Sequence, residues 1–217
     1  KQYCHYGEQL APFIKETSSI IRQAAAEGEL VLLEGAQGAL LDPDFGTYPY
    51  VTSSSPLAAA GAIGTGIGPG VIDQVIGVFK PYSTRVGSGP MPTELKDEVA
   101  NLIRERGHEY GATTGRPRRC GWFDAIAGSF SVQINGCGAI ALTHLDVFDG
   151  FPSVKICTAY QFNGETLYNF PSDLTVLERC QPIYEELPGW QGPTTEIRDF
   201  DRLPHQARHY LSRLEEL

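Results

Sequence analysis

Apolar positions along this 217-residue chain recur with two different periods, and each change of period marks a new element. Residues 10–26 carry apolar side chains at roughly helical spacing, Gly28 supplies a stop, and residues 30–33 form a continuous apolar run closed by Gly35. That order predicts a helix feeding a buried strand. Residues 72–79 read as the next strand, and Gly87, Gly89, Pro90 and Pro92 form a loop leading to a second helix. There Thr93 is the expected N-cap, Leu95, Val99, Leu102 and Ile103 make the apolar stripe, and Gly107 is the end. Residues 122–134 are expected to form a largely buried helix and residues 139–142 a buried strand. Strands over 154–160 and 166–170 flank Asn163 and Gly164, a pair suited to a type I′ hairpin turn. The last predicted helix spans 204–217, with Ala207, Tyr210, Leu211 and Leu214 on one side. Alternating helices and strands predict an α/β fold, with a mainly parallel central sheet flanked by helices and a small hairpin region. No repeat, low-complexity tract or linker divides the chain, so residues 1–217 read as one domain.

A hydrophobic content of 41% marks a globular chain, long enough for a core of ordinary density. The formal charge of -9 and a pI near 5.0 argue against broad binding to nucleic acid or to an anionic membrane. An anionic ligand must then be drawn by a local cluster. Cys4, Cys120, Cys137, Cys157 and Cys180 are odd in number, scattered and free of C-x-x-C pairs. They suggest reduced thiols in a cytosolic protein, not a disulfide frame or a zinc site. No apolar stretch approaches the roughly 20 residues of a membrane span, and none follows a basic start, so a soluble protein is expected. Lys1 opens the sequence in place of a methionine, which suggests a chain cut from something longer.

The local cluster lies at residues 111–119, where Arg116, Arg118 and Arg119 sit within four positions. Gly111 and Gly115 free the backbone for tight turns, Thr113 and Thr114 add short hydroxyl donors, and guanidinium forks grip carboxylates or phosphates bidentately. The alternative is a solvated loop balancing Glu105, Glu109 and Asp124. A second loop, Glu34 with Gly35, Ala36, Gln37 and Gly38, follows the first apolar run; the Gln37 amide donates and accepts at once, which suits a purine edge, although a simple turn would look the same. Asp42 and Asp44 fit a turn better than a catalytic carboxylate pair. The glycines at 61, 64, 66, 68 and 70 match neither nucleotide-binding glycine fingerprint. After the strand at 139–142 come Thr143, His144, Leu145 and Asp146, where a carboxylate could accept two hydrogens from a guanine edge or simply cap a turn.

Together these loops resemble the adenylosuccinate synthetase family. The resemblance rests on the strings 34–38, 46–54, 82–87, 111–119 and 145–150, which fit in order and spacing from end to end; the second and fourth are the specific ones. It covers essentially all of this chain and about half of the family's usual length, as a central-to-C-terminal portion would. The resemblance implies part of a P-loop-like ligase fold and GTP-dependent ligation of L-aspartate to IMP, through a 6-phosphoryl intermediate and with Mg2+ required. A cytoplasmic homodimer is implied at full length.

Residue by residue, the resemblance implies IMP contacts for Gln37, Thr52, Val86 and Arg116. It implies aspartate contacts for Ala112, Thr113, Thr114, Gly115, Arg116, Pro117 and Arg118, and GTP contacts for Arg118, His144, Leu145 and Asp146. The family usually has lysine where this chain has His144, so an aromatic ring replaces an aliphatic stem against the guanine. No catalytic residue and no metal ligand is implied here. The family's phosphate-binding loop, its aspartate base, its histidine acid and its magnesium ligands lie in a preceding part, and a C-terminal loop completes the guanine site. The stretch is thus expected to hold substrates without moving protons or phosphate. A noncatalytic nucleotide- or dicarboxylate-binding module is the alternative, and a structural protein whose arginine loop meets an acidic surface is a third.

Overall fold

The computed structural model describes residues 1–111 and 115–217. The chain opens with α1 (Gln2–Leu10), a 3-10 turn (Ala11–Phe13) and α2 (Ser18–Ala26), where a single helix over 10–26 was expected. Pro12 breaks that helix, because it lacks the amide hydrogen that a continuing turn needs. Gly28 does stop α2, at a φ of 79°. Residues 30–33 form no strand, and Leu30 and Leu32 are 99% and 86% exposed. An apolar run becomes a strand only when a neighbour takes up its N–H and C=O groups, and no described strand pairs with it.

After α3 (Ala58–Thr65) the chain enters β1 (Ile76–Phe79), four residues shorter at its start than the expected 72–79, and then β2 (Tyr82–Arg85). The second predicted helix is α4 (Glu98–Arg106), ended by Gly107 and capped by Asp97, whose carboxylate accepts from the Ala100 N–H at 3.2 Å. Thr93 does not cap it. That residue is buried beside Gly121, where an added Cβ would strike the Thr93 carbonyl, and the backbone there runs along the next strand through a Glu94–Gly121 bridge.

That strand, β3 (Arg119–Asp124), takes Trp122 and Phe123 out of the predicted helix, which begins only at α5 (Ala125–Asn135). Cross-strand partners decide the matter: Trp122 stands opposite Tyr82 and Phe123 opposite Ile156. The strand β4 (Ala139–Leu142) forms within the expected bounds but is not the buried strand expected, since Ile140 is 48% exposed and only β1 pairs with it among the described strands. The expected hairpin forms from β5 (Ser153–Phe162) and β6 (Glu165–Leu167), although β6 stops at Leu167, short of the expected 170; its turn residues Asn163 and Gly164 have φ of 49° and 87°, as a type I′ turn requires. The short α6 (Leu174–Arg179) and β7 (Gln181–Pro188) were not anticipated, and α7 (His205–Glu216) closes the chain within the expected bounds.

The fold is α/β, with parallel strands flanked by helices. Parallel pairs join β1 to β4 and β3 to β5, and antiparallel pairs join β2 to β3 and β5 to both β6 and β7. The antiparallel share is larger than a mainly parallel sheet implies, because β7 and the hairpin both pair with β5. Among the described residues β1 and β4 form a pair separate from the five-stranded sheet of β2, β3, β5, β6 and β7, and the core lies under that larger sheet: Phe148 packs against Trp122, Phe151, Trp190 and Tyr210, with ring centroids 5.2–6.3 Å apart. Tyr210 of α7 donates to the Pro81 carbonyl at 2.6 Å, pinning the turn between β1 and β2. All five cysteines are free, and Cys120, Cys157 and Cys180 are buried. Among the described residues no helix is long and apolar enough to cross a membrane.

Candidate functional site

The loops singled out in the sequence are tied to one another through the ends of β1, β2 and β3. Gln37 sits in the left-handed region at a φ of 68°, and its Nε2 donates to Oγ1 of Thr52 at 3.0 Å, so two residues expected to share one ligand meet across fifteen positions of chain. The intervening loop is built on Asp42. Its buried carboxylate accepts from the Asp44 and Phe45 N–H groups at 2.9 Å each and from the Ser55 hydroxyl at 2.5 Å. Burial pushes that carboxyl up, but the hydrogen bonds from Ser55, Phe45 and Asp44 outweigh it and hold it below the usual range. Asp42 is therefore a turn-forming residue, as expected, and Asp44 stands exposed. Gly46 is required there, since a Cβ would run into the carbonyls of Leu40 and Asp42. Thr52 is fixed in turn, its N–H bonding the Leu41 carbonyl at 2.8 Å.

At the end of β2, Arg85 is buried while Val86 is 54% exposed. The Arg85 Nε donates to the Ser88 carbonyl at 3.0 Å, and its Nη2 donates to Thr47 Oγ1 at 2.8 Å and to the Tyr50 carbonyl at 2.9 Å. The cross-strand neighbour Arg119 donates to both carboxylate oxygens of Glu94, at 2.9 and 2.6 Å, and to the carbonyls of Gly87 and Gly89.

The arginine loop closes on itself: the Gly111 N–H bonds the Arg116 carbonyl and the Gly115 N–H bonds the Gly111 carbonyl, each at 2.8 Å, and Tyr110 bridges Pro117. Ala112, Thr113 and Thr114 lie outside the described residues. Arg118 pairs with Glu109 at 2.7 Å, and Glu109 also accepts from Lys80 at 2.5 Å and from the Tyr82 hydroxyl at 2.7 Å while being only 1% exposed. Burial raises the Glu109 carboxyl, but the bonds from Lys80, Tyr82 and Arg118 prevail and leave it lowered.

The cluster thus divides. Arg119 is consumed by Glu94 and loop carbonyls, Arg118 is oriented by a buried acid, and Arg116 is exposed. Of the acids proposed to balance the cluster, Glu109 does so, whereas Asp124 caps α5 through the Ala127 N–H at 3.1 Å and accepts from the Tyr160 hydroxyl at 2.7 Å.

The turn after β4 hangs on β1, since the Thr143 N–H and hydroxyl both bond the Phe79 carbonyl, at 2.8 and 3.1 Å. His144 is exposed with a φ of 59°, and Leu145–Phe148 form a 3-10 turn. The acid that braces this region is Asp149, which accepts from Trp190 Nε1 at 2.7 Å and from Thr194. Asp146 is exposed, and among the described residues no side chain or backbone N–H bonds its carboxylate. It caps nothing. Reasoning from the sequence missed Arg85 and Glu94, and it saw Glu109 only as a surface counter-charge. Their signal is position: Arg85 ends a strand just before a glycine-rich loop, and Glu109 stands immediately before the arginine loop. Among the described residues no three His, Cys, Asp or Glu side chains gather to hold a metal ion.

Polar loops braced on strand ends define an α/β protein. Comparison with known proteins gives the family: its adenylosuccinate synthetase profile matches residues 1–217, and the chain belongs to that family. An adenylosuccinate synthetase of Dehalococcoides mccartyi is 57% identical over 212 residues, covering 98% of this chain and 50% of that protein. One from Desulforudis audaxviator is 54% identical over 217 residues, again with 50% of that protein covered. The solved structure of fully ligated adenylosuccinate synthetase from Plasmodium falciparum superposes with a TM-score of 0.95 at 39% identity, covering 99% of this chain and 52% of that one. The chain spans about half the length of the curated relatives it matches.

Proposed function

We propose that, at the full length of its family, this protein joins L-aspartate to IMP at the expense of GTP, giving adenylosuccinate, GDP and phosphate. The observation that carries the reading is the family match across residues 1–217. The geometry supports it loop by loop. The Gln37 amide suits the purine and the Thr52 hydroxyl suits the IMP phosphate, and their mutual bond of 3.0 Å is one that a ligand can exchange for its own. Val86, exposed after β2, is assigned to the ribose side. Arg116 and Arg118 offer guanidinium forks to the aspartate carboxylates, with Arg116 also toward IMP and Arg118 toward GTP, and Glu109 fixes the direction of the Arg118 fork.

Asp146, whose carboxylate is exposed, is assigned to the N1 and N2 hydrogens of guanine, and the His144 ring to its face. Phosphorylating the purine 6-oxygen turns a poor leaving group into a good one, which the aspartate amine displaces. Bound magnesium would supply neutralisation of charge on the phosphates, its ligands being assigned to the rest of the family-length chain. The groups that move protons and the phosphoryl are assigned to the rest of the family-length chain, in a cytoplasmic homodimer. Full-length protein supplied with IMP, aspartate, GTP and Mg2+ should form adenylosuccinate and GDP in equal amounts, and the 217-residue stretch alone should form neither. Absence of product from the full-length protein would overturn the reading.

A further inference from the structure

Among the described residues Arg85 is a buried guanidinium whose hydrogen bonds go to neutral oxygens. Among the described residues it makes no ion pair, although it stands directly across from Arg119 in the β2–β3 register. Like charges placed opposite one another in a sheet destabilise it. Arg119 is relieved by Glu94, while Arg85 is left with the hydroxyl of Thr47 and the carbonyls of Tyr50 and Ser88. As an anchor for stability alone this is a costly choice, because taking a charge out of water is recovered best by a counter-ion.

What the arrangement does achieve is a span. One planar fork reaches two loops at once: residues 47–50, whose continuation carries Thr52 and its partner Gln37, and residues 86–89, which begin with Val86. The surroundings are cut to fit that fork. A Cβ on Gly89 would lie 2.5 Å from Arg85 Nη2 and 2.9 Å from the Tyr50 Cβ, and Gly89 has a φ of 108° that other residues rarely adopt. Thr47, only 4% exposed, keeps its hydroxyl turned to the guanidinium.

We propose that Arg85 is a positioning residue for the IMP site, setting the distance between the Gln37–Thr52 pair and the Val86 loop and holding an unpaired positive charge behind them. The proposal rests on the ligase reading above. Lysine cannot replace arginine here, since a single ammonium on a flexible stem cannot hold three oxygens on two loops in a fixed plane.

The test measures steady-state kinetics and thermal unfolding of the full-length protein carrying Arg85→Lys or Thr47→Val. In Arg85→Lys the KM for IMP should rise by about tenfold or more, and in Thr47→Val by about threefold, with KM for aspartate and for GTP within about twofold of wild type. Thr47→Val keeps the side-chain shape, and it decides the question if Arg85→Lys fails to fold. Unchanged KM for IMP in the variants that fold overturns the proposal, and so does a parallel rise of all three KM values with a lowered Tm, which is the mark of a residue serving only the fold. If wild-type protein turns over no IMP, the ligase reading itself falls, an outcome separate from a wild type that works and variants that match it.

Discussion

Replacing Glu109 by glutamine removes one negative charge that three donors share: Lys80 at 2.5 Å, Arg118 at 2.7 Å and the Tyr82 hydroxyl at 2.7 Å. The carboxylate is buried, but the Lys80 and Arg118 side chains keep 26% and 29% of their surface in water. Breaking a fully buried pair costs about 3–5 kcal/mol and an exposed one about 0–1, so partners solvated to a quarter place Glu109→Gln at about 2–3 kcal/mol. For a domain of this size that corresponds to a loss of about 4–12 °C in Tm. The pH dependence gives a second signature. The native Glu109 carboxyl lies below its unfolded value, so its contribution is fully present above about pH 4.5 and is lost as pH falls through the native pKa. Wild type should therefore lose its advantage over Glu109→Gln in acid, with the two curves converging below that point. Denaturant unfolding of both proteins between pH 3 and pH 8, with Lys80→Met and the double variant to isolate the coupling, measures this directly. Equal stability within about 0.5 kcal/mol at pH 7, or a gap that does not close in acid, would refute the claim that this acid braces Arg118.

Asp124 runs the other way, because burial lifts its carboxyl to about 6 despite the bonds from Tyr160 and Ala127, so its own contribution to stability is fully present below about pH 4 and is lost, by about 3 kcal/mol, as pH rises to and through 6. Asp124→Asn keeps the α5 cap and an acceptor for Tyr160, and should flatten that fall in pH-resolved unfolding; an unchanged slope would count against it. Arg116→Leu in the full-length protein should lose a charge-assisted bond of about 1.5–3 kcal/mol and cut kcat/KM for aspartate about tenfold or more, whereas normal kinetics would return the loop to a surface role. Asp146→Asn should weaken GTP binding and narrow the preference for GTP over ITP, which lacks the 2-amino group, while leaving Tm within about 2 °C because this exposed carboxylate takes no hydrogen bond among the described residues; nucleotide titrations and a melting curve read both effects.

The sequence by itself determined the elements whose causes are local. Asn163 and Gly164 accept positive φ, so the hairpin follows from two residues. Gly28 ends α2 by backbone freedom, at a φ of 79°, and α7 needs only its own amphipathic period. The motif strings, read in order, also sufficed to place the chain in its family. Tertiary structure decided whatever depends on a partner distant in the chain. The apolar run at 30–33 has the composition of a strand but no described neighbour to take its hydrogen bonds, and Trp122 and Phe123 have a helical pattern but lie in a strand because Tyr82 and Ile156 stand opposite them. Thr93 lost its capping role to Asp97 because Gly121 lets the backbone around Thr93 lie along β3. The three arginines looked equivalent in sequence. Only the fold brings Glu94 to Arg119 and Glu109 to Arg118, and only the fold buries Arg85 between two loops, because charge pairing is set by distance in space and desolvation, neither of which a linear pattern records.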